Sequence, residues 1–158
     1  MIRTRKRMIL CAVLLIAMLA FIWGNSLISG TDSGAMSGRV MEWINGLLQL
    51  DESGAEKLHL AIRKMAHFTE FTCLGLLLTW QFGMMGEKKG HLFCMPLFCG
   101  MLAACVDETI QLLVPDRGPS LTDVWIDTAG AAAGIMILLI GYNYIRKKTN
   151  FKNLEETT

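Results

Sequence analysis

Three pairs of ionisable side chains sit in otherwise apolar stretches of the chain: His67 and Glu70, Asp107 and Glu108, and Asp123 and Asp127. Arg63 and Lys64 precede the first pair, Gln111 follows the second, and Arg117 lies in the turn-like PDRGPS before the third. Carboxyl groups with few water contacts and close neighbours of like charge are suited to acid–base transfer. Glu70 and Glu108 are therefore the leading acid/base candidates, with His67 as a proton shuttle or an anion contact. Arg117 suits a clamp on phosphate or carboxylate. Arg63, Lys64, Asp107, Gln111, Asp123 and Asp127 complete a binding set. Plainer roles compete: a structural hydrogen bond for His67, pairing of Arg117 with Asp123, and a helix cap for Asp123.

Such residues need elements to hold them. The chain has 158 residues, of which 53% are hydrophobic and 18% charged. One soluble core of that size does not bury so much apolar surface. The apolar residues instead come in four blocks, about 8–28, 66–85, 92–114 and 121–145, each near the roughly 20 residues that cross a bilayer. Only helices or closed barrels satisfy their backbone in lipid, and these runs are too long for barrel strands. The expected fold is all-α, an integral membrane four-helix bundle forming a single domain over 1–150, with a disordered cytoplasmic tail over 151–158.

The opening MIRTRKR and its apolar run read as a signal anchor, because the run outlasts a cleavable h-region and no small-x-small site ends it. With the N-terminus inside, ten of the 15 Lys and Arg residues fall on the inner side, so both termini are expected in the cytoplasm. Net charge is +1 with no basic stripe, which argues against nucleic acid as a partner. The five cysteines (Cys11, Cys73, Cys94, Cys99, Cys105) all fall in the spans and read as small core hydrophobes rather than a disulfide framework or zinc ligands. No metal and no cofactor is assigned. His59 and His91 read as surface residues outside the cluster.

Between the first two spans, Val40, Trp43, Ile44, Leu47 and Leu48 recur at helical spacing. They predict a short external helix. It either lies in the headgroup region with Trp43 as its anchor or caps the bundle. SGAE, Ser53 to Glu56, has capping-box spacing and predicts the start of a helix that runs on into the second span.

This topology places every ionisable group of the spans at one depth, in the outer leaflet. Arg63, His67 and Glu70 follow i, i+4, i+7 and share a helix face. Gln111 lies four residues after Asp107 and three after Glu108. Asp123, Asp127, Gly130 and Gly134 share a face of the last span. The GAAAG at its lower end has the small-residue spacing that lets helices approach closely, so Gly130 and Gly134 are expected packing positions. Ser120 and Asp123 have capping-box spacing and predict where the last helix starts. A charge at the bilayer centre costs about 2.5–3.5 kcal/mol on insertion scales. Carboxylates gathered here therefore need partners or a function.

Four motifs in order, RKMAHFTEF (Arg63 to Phe71), DETIQ (Asp107 to Gln111), PDR (Pro115 to Arg117) and DVWIDTAGAAAG (Asp123 to Gly134), resemble those of the VanZ-like family of small bacterial membrane proteins. The chain departs from the family's habit at Phe71, Ile110 and Asp116, where tyrosine, an aromatic or histidine, and glycine are common. The resemblance implies a multi-pass protein of the bacterial plasma membrane, acting in the cell envelope. Its implied partners are membrane lipids and a lipid-linked cell-wall precursor or lipoglycopeptide, with lowered sensitivity to teicoplanin-type drugs. Two other readings stand beside it: an enzyme that modifies a phosphate- or sugar-bearing lipid, and a proton-coupled transporter of lipid or solute. Oligomeric state is left open.

Overall fold

The computed structural model describes residues 2–28, 51–86, 90–115, 117–118 and 120–155, together with positions 44 and 46. Four helices follow in order: α1 (Ile2–Ser26), α2 (Glu52–Met84), α3 (His91–Gln111) and α4 (Leu121–Glu155). The fold is the expected all-helical bundle, with no strand among the described residues. Apart from Ile44 and Gly46, the segment expected to form the short external helix lies outside the described residues.

Among the described residues, three stretches are long and apolar enough to cross a membrane: Arg5–Ser26, His91–Gln111 and Leu121–Tyr144. The expected second span, 66–85, is the exception. Glu70, His67, Gln81 and several threonines dilute its apolar character. At 33 residues, α2 is about 50 Å long, well beyond the roughly 30 Å of a bilayer's hydrocarbon core. Its first half is polar and its second half apolar.

Local chemistry explains the helix starts: that of α4 falls where expected and that of α2 does not. Asp51, not Ser53, caps α2: its carboxylate accepts from the Gly54 backbone N–H at 2.9 Å. Aspartate there satisfies an N-terminal donor that the box around Ser53 would reach only two residues later. At α4 the Ser120 hydroxyl accepts from Thr122 N–H at 3.1 Å, so Ser120 is the cap and the helix proper begins at Leu121. The tail expected to be irregular from 151 is helical to Glu155; no glycine or proline follows Gly141 to stop it.

The closest approach in the bundle is between α2 and α4. A Cβ on Gly130 would run into the Phe68 carbonyl oxygen, one on Gly134 into that of Thr72, and one on Gly75 into that of Ala131. Backbone meets backbone along this seam, so only glycine fits. A small apolar core of Ile22 from α1, Phe71 and Leu74 from α2, and Ala103 and Ala104 from α3 closes the other side. The large apolar side chains turn outward instead, with Ile16 at 69% and Trp125 at 66% exposure. A bilayer welcomes that surface and water does not. The cysteines follow the same rule: only Cys11 is buried, while Cys73, Cys94 and Cys105 are exposed. They are not core filler, and on a lipid-facing surface a small apolar thiol incurs no burial penalty.

Gly134→Ala is expected to force the α2–α4 seam apart at a cost of about 1–3 kcal/mol, seen as a lower unfolding temperature in detergent. Gly141→Ala, with nothing within 4 Å of the added carbon, is expected to leave that temperature unchanged or raise it.

Candidate functional site

The polar residues gather where α1 and α3 end, α4 begins and the midpoint of α2 passes between them. Gln111, 1% exposed, is the hub. Its amide oxygen accepts from Arg63 Nη2 at 2.9 Å. Its amide nitrogen donates to Asp107 Oδ2 at 2.8 Å, with longer contacts of 3.4 Å to Glu108 Oε1 and to Ser26 Oγ. The four-residue step from Asp107 to Gln111 along α3 is what lets them meet.

Asp107 is wholly buried and accepts a second bond, from Ser26 Oγ at 2.7 Å. Glu108 accepts from the Ser120 backbone N–H at 2.9 Å. In a capping box the third helical residue reaches back to that N–H. Here Glu108 does so from the neighbouring helix, and Asp123 is released to pair with Lys64. That ion pair is 2.6 Å long, with Lys64 41% exposed.

His67 projects between two carboxylates. Its Nδ1 lies 3.9 Å from Asp107 Oδ2 and 3.9 Å from Asp127 Oδ2. Asp127 is 0% exposed, and neither of its oxygens has a hydrogen-bond partner among the described residues. One atom from each of His67, Asp107 and Asp127 lies within 4.8 Å of the others. No spacing along the chain advertised this trio, because each member comes from a different helix.

Arg63, Lys64 and His67 from α2, Glu108 and Gln111 from α3, and Asp123 and Asp127 from α4 line one cavity of about 430 Å³. Leu60 and Ile126 give it an apolar flank, and Gly118 and Ser120 contribute from the loop. The volume is within the usual range for a small-ligand site.

Two residues expected in this set stand apart. Glu70 turns toward α1, where its Oε1 accepts from Asn25 Nδ2 at 3.1 Å and its Oε2 is buried with no partner among the described residues. It lines a separate cleft with Met18 and Phe21. The Arg63–His67–Glu70 stripe is broad, and α2 is wedged between α1 and α4, so the two edges of the stripe face different neighbours. Arg117 neither pairs with Asp123 nor lines the cavity. Its Nε donates to the Ile28 carbonyl and its Nη2 to the Asn25 carbonyl, both at 2.9 Å. Burial and the nearby Arg63 lower its pKa, opposed by Asp107 and Glu108. Arginine keeps its charge in proteins regardless, so Arg117 places a cation on the carbonyl-rich end of α1, where the helix dipole favours one.

Asn25 and Ser26 join the site without being among its expected residues. The signal was present: they are the first strongly polar side chains after an uncharged apolar run, at the same end as the other polar groups.

These features define a helical membrane protein whose polar groups converge on a cavity at one end of the bundle. A family model described as VanZ/LLP1 matches residues 11–142. The chain belongs to this VanZ-like family. No curated protein and no solved structure matches it.

Gln111→Leu is expected to strand Asp107 and Arg63 without their shared partner and to cost about 1–3 kcal/mol. Lys64→Ala, which removes an exposed ion pair, is expected to cost less than about 1 kcal/mol. Chemical unfolding in detergent would rank the two, and equal losses would contradict the hub role of Gln111.

Proposed function

We propose that this VanZ-like protein works at the outer leaflet of the bacterial plasma membrane, with both termini cytoplasmic. In this reading its cavity receives the headgroup of a lipid-linked envelope component and shields it from teicoplanin-type lipoglycopeptides. The observation that carries the reading is the cavity's composition. Arg63, Lys64 and His67 bring positive or donating groups from α2 to a lining they share with Glu108, Asp123 and Asp127, beside the apolar Leu60 and Ile126. The α2 wall and the apolar flank together suit an anionic headgroup with an attached acyl or prenyl chain. The orientation follows from the lysine and arginine bias, with ten of 15 on the side away from the cavity.

A second reading, an enzyme that modifies such a headgroup, is favoured by Asp127 and His67. They sit together in the cavity wall, and Asp127 has no hydrogen-bond partner among the described residues. Acid–base chemistry needs a group of this kind within reach of the substrate. Glu108, tied to Ser120 N–H, fits better as a positioning residue than as a proton carrier.

Cells making the wild-type protein are expected to tolerate more teicoplanin than cells without it, and an equally abundant Arg63→Gln variant is expected to give no protection. Unchanged sensitivity with wild type would overturn the shielding reading. Mass spectrometry of envelope lipids and wall precursors in the same strains tests the enzymatic one. That reading requires a species gained or lost only with the wild type.

A further inference from the structure

The cavity's inner wall holds an arrangement that headgroup binding does not require. His67, Asp107 and Asp127 converge from α2, α3 and α4, with one potential ligand atom from each lying within 4.8 Å of the others. The 3.9 Å separations from His67 Nδ1 to the two carboxylates are too long for hydrogen bonds. They are close to the spacing of ligands around a shared ion. Atoms about 2.1 Å from a metal lie about 3–4 Å from one another.

An acidic cluster alone would not carry the point. The independent observation is Asp127, fully buried with both oxygens unpartnered. A buried carboxylate with no donor is among the least favourable arrangements in a protein interior. Nearby polar groups are spoken for: Gln111 and Ser26 bond Asp107, and Lys64 bonds Asp123. A cation placed between the three side chains would supply what Asp127 lacks.

We infer that His67, Asp107 and Asp127 bind a divalent first-row ion of the Mn²⁺ or Zn²⁺ class. Two carboxylates balance its charge, and the imidazole provides the nitrogen that favours these ions over Mg²⁺ or Ca²⁺. Three protein ligands leave coordination positions for water or a ligand oxygen, the pattern of reactive rather than purely structural sites. His67 and Asp127 line the cavity, so those positions face it. Ser26 and Gln111 hold the Asp107 carboxylate in place, as second-layer partners of metal ligands do. The inference does not depend on which headgroup, if any, enters the cavity.

The test uses the full chain purified in detergent, stripped with chelator, and titrated separately with Zn²⁺, Mn²⁺, Mg²⁺ and Ca²⁺ by calorimetry, with thermal unfolding as a second readout. Wild type is expected to bind one Zn²⁺ or Mn²⁺ per chain and to unfold at a higher temperature when loaded. Asp127→Asn is expected to lose affinity by about tenfold or more. Glu56→Gln, an exposed carboxylate of α2 outside the cavity, is expected to bind as wild type does. If Asp127→Asn does not fold, His67→Gln takes its place. The inference is overturned if wild type shows no saturable Zn²⁺ or Mn²⁺ binding, if the trio variants bind as tightly as wild type, or if Mg²⁺ and Ca²⁺ bind best. Because no lipid headgroup is added, failure here leaves the headgroup reading untouched, and failure of that reading leaves this result standing.

Discussion

The arrangement rests on how close α2 and α4 come to each other. With Gly130 against Phe68, Gly134 against Thr72 and Gly75 against Ala131, the two backbones touch with no side chain between them. Asp127 lies one helical step before Gly130, and His67 immediately precedes Phe68. The seam that brings the backbones together therefore also sets an imidazole opposite a carboxylate a turn above. Without a driving force from water, helices in lipid depend on such van der Waals contact. Geometry at the polar end is inherited from packing at the apolar one.

Burying so many polar groups is unfavourable unless each finds a partner, and most do. Gln111 serves Arg63 and Asp107, Ser26 completes Asp107, the Ser120 amide occupies Glu108, and Lys64 occupies Asp123. Arg117 fastens the end of α1 to the loop that leads into α4. Against this background both oxygens of Asp127, one oxygen of Glu70 and the Thr128 hydroxyl are buried and unsatisfied at this end among the described residues. Groups left unsatisfied in an otherwise satisfied network are where a ligand or reaction is expected. The residues from Leu74 to Met84 of α2, and those of α4 after Asp127 as far as Tyr144, carry no charged side chain. The charged groups therefore form a site at one surface and not a path through the bundle.

Much of this was legible in the sequence. The apolar blocks dictated four helices, and the common depth of Arg63, His67, Asp107, Gln111, Asp123 and Asp127 followed from their alternating directions. The small residues of GAAAG announced the seam. The misplacements have physical causes. Glu70 shares a stripe with His67, but a stripe says nothing about which neighbour each edge meets. Arg117 looked like a free cation because the backbone carbonyls it bonds, at Asn25 and Ile28, leave no mark in the sequence. The trio of His67, Asp107 and Asp127 depends on the lateral offsets of three helices, and periodicity within one helix cannot reveal it. Asp51 as a cap competed with a better-looking pattern two residues on.

The central claim is that the cavity bounded by Arg63, Lys64 and His67 holds an anionic lipid headgroup. Native mass spectrometry of protein taken directly from its membrane, wild type beside an Arg63→Gln, Lys64→Gln double variant, tests it most directly. Wild type is expected to carry an anionic or phosphate-bearing lipid enriched over the surrounding membrane, and the double variant is not. Both proteins carrying the same lipids, in the proportions of the bulk membrane, would contradict it.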